Sequence, residues 1–280
     1  MQHLKSQQLK DYTTLKVGGT ADNLFIPSNL DELKELVGEH QRKGYHLLGN
    51  GSNIFVASRR IRKPVILIGQ ALQSIEIDQT SGVVRANAGA DIRKMITDST
   101  RCGLRAPVEL LTIPATVGGA LFMNAGRSTL KTTISDHLHS VEVFDGRNTF
   151  TLDKQQCEFG HRHSLFHRRR DWTILSAEFR YQSMPSSELQ AIRRSSLDAA
   201  KDKCYRRHAS AGTVFKICDD RLIKRMRGRR FSDAAFSEST TNCILNYGSA
   251  KPWQIRALIS LAIASHWIRR KSIHLELEIW

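Results

Sequence analysis

The sequence of 280 residues has no apolar run long enough to cross a bilayer and no apolar leader. Met1 to Tyr12 is polar and charged, and the longest apolar stretch, Ile255 to Ile268, is interrupted by Arg256, Ser260 and His266. A globular protein without an export signal or membrane span is expected. Cysteine is scarce and unpatterned. Cys102, Cys157, Cys204, Cys218 and Cys243 are odd in number and make no CxxC or metal-ligand spacing, so they read as small core residues of a reducing compartment, which predicts a cytoplasmic protein. Aromatic residues are only 7% of the chain and few interleave its basic runs. Without stacking residues or a recognisable nucleic-acid module, RNA or DNA is not the expected partner. Internal repeats and low-complexity tracts are also absent.

Acidic residues are in deficit. Against 42 Lys and Arg stand 27 Asp and Glu, leaving a net charge of +15. From Met184 onward there are 18 Lys and Arg against 9 Asp and Glu, so the last third carries more than half of the excess. It is concentrated in His167-Arg168-Arg169-Arg170, Lys224 to Arg230 and Arg269-Arg270-Lys271. The field suits an anionic partner, but a solvated basic face that only aids solubility fits equally well.

The apolar content of 40% is enough for ordinary cores in one large or two smaller domains. Asp31 to Val37 has helical spacing, and Tyr45-His46-Leu47-Leu48 and Val65 to Ile68 read as short buried strands. Ser74 to Asp78 and Val83 to Ala88 alternate around Thr80-Ser81-Gly82 as a hairpin, followed by a helix from Asp91 to Cys102. A second hairpin is predicted over Ser140 to Phe144 and Asn148 to Leu152, and a strand over Trp172 to Phe179. Met184-Pro185-Ser186-Ser187 marks the best boundary, with a polar helix from about Glu188 to Tyr205 beyond it. Cys243 to Asn246 reads as a strand. Pro252 to Ile268 reads as a helix whose Ile255, Leu258, Ile259, Leu261, Ala262 and Trp267 suit a core face. The order is mixed α and β.

The densest signal lies at Glu109 to Gly126, Glu-Leu-Leu-Thr-Ile-Pro-Ala-Thr-Val-Gly-Gly-Ala-Leu-Phe-Met-Asn-Ala-Gly. Pro114 fixes one dihedral, Gly118 and Gly119 remove Cβ atoms where a ligand or another backbone approaches, and Asn124 and Gly126 end the apolar segment that follows. Amides freed in such a turn suit phosphate oxygens, although a tight structural loop has the same composition. No strand-GxGxxG-helix signature with a following acid appears, so a Rossmann NAD site is not expected. His161, His163 and His167 lie in an irregular basic segment without convergent ligands, and no metal is predicted.

Two further glycine turns, Leu47-Leu48-Gly49-Asn50-Gly51-Ser52-Asn53-Ile54-Phe55-Val56 and Thr14-Leu15-Lys16-Val17-Gly18-Gly19-Thr20-Ala21, accompany the first. Phe159-Gly160-His161-Arg162-His163-Ser164-Leu165-Phe166, Ser210-Ala211-Gly212-Thr213-Val214-Phe215-Lys216 and Leu275-Glu276-Leu277-Glu278-Ile279 follow in order. Together these six motifs resemble the UDP-N-acetylenolpyruvoylglucosamine reductase (MurB) family, and the resemblance spans nearly the whole chain. It implies an α+β fold: a two-part FAD-binding domain of the vanillyl-alcohol-oxidase type over residues 1–184, with lobes at approximately 1–68 and 69–184, and a smaller α/β substrate-binding domain over 185–280. Gly49, Asn50, Gly51, Ser52, Asn53, Thr116, Gly118, Gly119, Asn124 and Gly126 are thereby expected to contact FAD. A hydride would pass from NADPH through flavin to the enolpyruvyl group of a UDP-sugar, in peptidoglycan synthesis. Arg162 and Glu278 would polarise the substrate and stabilise its enolate-like intermediate, and Thr213 stands where the family has a proton-donating serine. The short spacing after Phe179 is similar to the family's second structural type. The oligomeric state stays open.

Each of the three catalytic candidates also has a plain reading: Arg162 as a salt-bridge arginine, Glu278 as the polar face of a last strand, Thr213 as a turn residue after Gly212. Departures from the family pattern gather on the substrate side. His161 replaces a tyrosine, Ala115 a glycine, Arg127-Ser128-Thr129 the usual Ala-Tyr-Gly, and Ile217-Cys218 an Asn-Pro. The run Ser237-Glu238-Ser239-Thr240-Thr241-Asn242 lacks the family's Lys-His pair. A changed substrate, or a catalytically silent protein holding an anionic polymer, are the competing expectations.

Overall fold

A computed structural model describes residues 1–69, 72–198 and 208–280. The chain forms two compact units, each discontinuous in sequence: residues 1–3, 24–49 and 63–201 make the first, and 4–23, 50–62 and 202–280 the second.

The first unit contains a small parallel arrangement and a larger antiparallel sheet. Leu24 and Phe25 pair in parallel with Val65 and Ile66, and strand Val65–Leu67 pairs in parallel with His46–Leu48. Helix α1, Leu30–His40, lies between these strands in sequence. The Asn29 side chain caps it by accepting from the Glu32 amide at 2.9 Å, and Leu33, Leu36 and Val37 recur at helical spacing on its buried side. The antiparallel sheet runs in the order Thr149–Asp153, Leu138–Phe144, Thr173–Arg180, Val83–Asn87, Ile75–Asp78. Both predicted hairpins are there. In one, the Asp145 carboxylate accepts from the Arg147 and Asn148 amides at 2.8 and 2.7 Å, closing the turn beside Gly146. Helix α2, Ile92–Arg101, is capped by Asp91. One apolar cluster joins α1, α2, the sheet and the segment from Leu104 to Leu121.

A third helix, α3, Val117–Phe122, occupies what reads in sequence as a glycine loop. Helix α4, Ser186–Asp198, begins two residues before the expected Glu188 and belongs to the first compact unit; the remainder of the helix expected to Tyr205, and Cys204 with it, lies outside the described residues.

In the second unit an antiparallel sheet has the order Ala209–Thr213, Cys243–Asn246, Ala234–Phe236, Arg230–Phe231. Helices α5, Asp220–Lys224, and α6, Pro252–Ile268, accompany it. Strand Glu278–Ile279 pairs in parallel with Ile54–Phe55. The core unites Leu15, Val17 and Phe55 from early in the chain with Phe215, Phe236, Ile255 and Leu258 from late in it.

Two details correct the sequence reading. Leu261 and Trp267, expected in the core, are on the exposed side of α6. The helix is apolar around much of its circumference, so composition alone does not identify the buried face. Cys157 and Cys243 are buried as expected, but Cys102 and Cys218 are only half-buried. None of these four is in a disulfide. Among the described residues no helix is long and apolar enough to cross a membrane.

Candidate active site

In the first unit, Thr116 caps α3: its Oγ1 accepts from the Gly119 amide at 3.2 Å. A Cβ on Gly49 would stand 2.5 Å from that same Oγ1, so the glycine lets the two turns meet. Gly118 presses α3 against the end of a strand, its amide bonded to the Ala88 carbonyl at 2.8 Å and its absent Cβ only 3.0 Å from the Ala88 Cβ. Gly119 differs, being exposed and close only to Thr116. Thus two of these glycines serve close protein packing, while Gly119 keeps a turn of backbone open.

The Gly160–His163 turn brings Arg162 to the same region. The Gly160 amide donates to the His163 carbonyl at 3.0 Å, with Arg162 at the corner in a left-handed conformation, φ 51°. Its guanidinium donates to the carbonyls of Asn124 at 3.3 Å and Gly126 at 2.6 Å. Asn124 is also left-handed, φ 42°, and its Nδ2 donates to the Gly160 carbonyl at 3.0 Å. Arg162, Asn124 and Gly126 therefore form one hydrogen-bonded group. A Cβ on Gly126 would lie 2.5 Å from the Thr132 carbonyl. His163 and His167 stack with ring centroids 5.1 Å apart, and His167 stacks on Phe122 at 4.2 Å. Among the described residues there is no cluster of three His, Cys, Asp or Glu suited to a metal.

In the second unit, Gly51 adopts φ 59° because its Cα is pressed against the N-terminal segment: a Cβ there would lie 2.3 Å from the Tyr12 carbonyl. The Thr14 amide donates to the Gly51 carbonyl at 3.2 Å, and the Thr14 hydroxyl to the Ser210 carbonyl at 2.7 Å. Asn50 and Ser52 flank Gly51 and are half-buried. Asn53 is tied to the C-terminal segment twice, through Nδ2 to the Glu276 carbonyl at 2.9 Å and through its own carbonyl to the Glu278 amide at 3.0 Å. The Val214 carbonyl in turn accepts from the Glu276 amide at 2.8 Å. Asn53, the Glu278 strand and the Thr213–Val214 corner are consequently linked by successive hydrogen bonds. Thr213 itself is exposed, and Glu278 half-buried.

Asn242, the asparagine that ends the Ser237–Asn242 run, has a structural role that the motif reading did not assign. Its side chain grips both sides of one peptide residue: Oδ1 accepts from the Phe215 amide at 3.0 Å and Nδ2 donates to the Phe215 carbonyl at 2.7 Å. Its carbonyl accepts from the Val214 amide at 3.0 Å, and it sits at φ 62°. It thus fixes the backbone immediately after Thr213. An asparagine directly before a strand was the available signal, since Asn tolerates the left-handed region. The run lacking Lys-His closes on itself, with the Ser237 hydroxyl accepting from the Thr240 amide at 2.9 Å. Arg227, from the basic segment, donates to the Thr241 hydroxyl at 3.0 Å.

Asn124 also bears on cofactor fit. Its Oδ1 is buried and has no hydrogen-bond partner among the described residues. Burying an acceptor without a partner is costly, so it suits a ligand that brings a donor. Flavin dinucleotides carry such donors in the ribityl hydroxyls and ring N–H, and the residues present fit that group.

A family model for an FAD binding domain matches residues 21–151, a range that includes Gly49 to Asn53, Thr116, Gly118, Gly119, Asn124 and Gly126. The chain therefore has the FAD-binding domain of a flavoprotein. Its similarity to curated proteins runs nearly end to end. UDP-N-acetylenolpyruvoylglucosamine reductase 1 of Bacillus cereus is 31% identical over 99% of this chain and 94% of that protein, and the reductase of Synechococcus sp. (strain CC9605) is 32% identical over 94% and 91%. The crystal structure of UDP-N-acetylenolpyruvylglucosamine reductase from Thermus caldophilus superposes with a TM-score of 0.81 at 30% identity, covering 100% of this chain and 98% of that one. The chain belongs to the UDP-N-acetylenolpyruvoylglucosamine reductase family.

Proposed function

We propose that this chain is an FAD-dependent, NADPH-using reductase that converts UDP-N-acetylglucosamine enolpyruvate to UDP-N-acetylmuramate for peptidoglycan synthesis in the cytoplasm. The observation carrying this reading is end-to-end similarity to reductases of that name, at 31% identity over 99% of the chain. Bound FAD would supply the hydride chemistry, accepting a hydride from NADPH and delivering it to the enolpyruvyl double bond. Gly49 to Asn53, with Thr116, Gly118, Gly119, Asn124 and Gly126, would hold it. Residues 1–184 would provide the flavin-binding part, in lobes of about 1–68 and 69–184, and 185–280 the part that binds the sugar nucleotide.

The remaining chemistry falls to three side chains. Arg162, held by the Asn124 and Gly126 carbonyls, would present a fixed cation to the substrate carboxylate and stabilise the negative charge that develops there. The Thr213 hydroxyl would deliver the proton to the carbon next to the one that receives hydride. Threonine has the same donor as serine, and its extra methyl restricts the rotamer, so the backbone brace from Asn242 gains importance for aim. Glu278 would act beside it as the acidic partner in polarising the substrate.

The test is the visible spectrum under anaerobic NADPH, followed by addition of the enolpyruvyl sugar nucleotide. The flavin band should bleach and then return; bleaching without return would overturn the substrate assignment. A second reading, the same flavin chemistry with a different substrate, is favoured by His161, by exposed Ile217 in place of asparagine, and by Ser239 and Thr240. Reoxidation of the reduced flavin by another acceptor in a substrate panel would support it.

A further inference from the structure

Helix α6 buries one side and leaves uncovered a broad, mostly apolar side that is interrupted by Arg256 and Ser260. At about 100° per residue, Trp253, Ala264, Trp267 and Ile268 fall within roughly 100° of one another, and Leu261 and Ile263 border them. Trp267 is 79% exposed, Ile268 69%, Trp253 58%, and Leu261 and Ile263 39% each. The opposite side, Ile255, Leu258, Ile259 and Ala262, is fully occupied in the core. His266 is locked there too, with Nε2 accepting from the Asp219 amide at 3.0 Å and Nδ1 facing the Ala262 carbonyl at 2.8 Å. The uncovered side is therefore fixed by packing.

Charge decides what could cover it. Between Glu238 and Glu276 the sequence has no Asp or Glu, while Lys251, Arg256, Arg269, Arg270 and Lys271 all fall there and are exposed. Among the described residues, Lys271 alone of these has an acidic neighbour within ion-pair distance, Asp219 at 3.9 Å. A second copy of this chain would set cationic rims against each other, and a nucleic acid would leave the aliphatic side chains without an apolar partner. Two tryptophans about 20 Å apart along the axis, with exposed Leu261, Ile263 and Ala264 between them alongside Ser260, and Lys251, Arg256, Arg269, Arg270 and Lys271 as the cations on and around the face, match a helix lying at a lipid headgroup boundary. We propose that the exposed face of α6 docks on an anionic lipid surface, with Trp267 and Ile268 entering the headgroup layer and Arg269 and Arg270 engaging lipid phosphates.

The test is co-sedimentation of the full chain with phosphatidylcholine vesicles, with and without phosphatidylglycerol. Binding is expected only to the anionic vesicles, together with a blue shift of tryptophan fluorescence and quenching by brominated lipid. The double variant Trp267→Ser/Ile268→Ser should lose affinity by at least about tenfold, because two large apolar side chains no longer leave water. Arg269→Ser/Arg270→Ser should weaken binding and flatten its salt dependence. Circular dichroism and the bound-flavin spectrum check that the variants fold; should one not fold, lipid quenching in the parent protein decides. No binding to anionic vesicles, equal binding by the Trp267/Ile268 variant, or absence of quenching in the parent would overturn the proposal. So would concentration-dependent dimerisation that the same variant abolishes, which would assign the face to a second copy.

Discussion

Replacing Asn242 by alanine removes two hydrogen bonds from a single residue of the second core. The Phe215 amide loses its acceptor at 3.0 Å and the Phe215 carbonyl its donor at 2.7 Å, while the Phe215 ring stays buried. Leaving such groups unpaired costs about 1–3 kcal/mol each, less whatever water restores. Alanine at φ 62° adds about 1 kcal/mol, because its Cβ crowds the carbonyl in the left-handed region. Asn242→Ala should therefore destabilise by about 3 kcal/mol, a large share of a typical folding free energy. Asn242→Gly loses the same hydrogen bonds but not the conformational allowance, so it should be about 1 kcal/mol less damaging. Urea titration followed by tryptophan fluorescence measures both. A loss below about 1 kcal/mol for Asn242→Ala, or equal losses for the two variants, would refute the bracing role. In turnover, Asn242→Ala should lower kcat more than it raises KM, since the corner that aims Thr213 loosens.

Thr213→Val should slow substrate-dependent reoxidation of reduced flavin by about 10²–10⁴-fold while leaving reduction by NADPH intact, and Thr213→Ser should retain activity; stopped-flow absorbance separates the two half-reactions. Gly51→Ala should destabilise by about 2–4 kcal/mol, since a Cβ at φ 59° meets the Tyr12 carbonyl, and urea titration reads the loss. The Leu222 amide, then that of Arg221 and the nearby Lys271, hold the Asp219 carboxyl below the usual carboxylate range. A depressed folded pKa stabilises above the unfolded value and is lost as pH falls through the folded one. Unfolding midpoints of parent and Asp219→Asn should hence differ at pH 6 and converge as the pH falls well below the usual carboxylate range. Burial, with Asp153 nearby, pushes the Cys157 thiol up to about 12, so iodoacetamide at pH 8 should label Cys157 only after denaturation, as peptide mass mapping will record.

The elements legible in sequence were those built on local periodicity. Leu33, Leu36 and Val37 mark α1 by spacing alone, and the alternation from Ile75 to Asn87 sets a hairpin because neighbouring side chains take opposite faces. Helix α3 was hidden by Gly118 and Gly119, which disfavour helix; the reason for Gly118, close approach to Ala88, lies far away in sequence. Trp267 and Leu261 were misplaced because α6 has apolar residues on both sides, and only the tertiary partners choose between them. Of the candidate site, glycine turns and motif order could be read directly. An asparagine before a strand hints at the left-handed conformation of Asn242, but its grip on Phe215 spans 27 residues and no local pattern names that partner.

The composition of the second core also has a consequence for synthesis. Leu15, Val17 and Phe55 leave the ribosome early, yet the residues they pack on, from Ala211 to Leu277, follow much later. At 5–20 residues per second, Phe55 waits on the order of ten seconds or more for Phe236 and Leu258, while the first unit can already close around its own cluster. During that interval these three apolar side chains lack their late-chain partners. Slow translation of the late segment should therefore prolong exposure to chaperones and to aggregation, whereas slow translation of the middle segment gives the first unit time to settle.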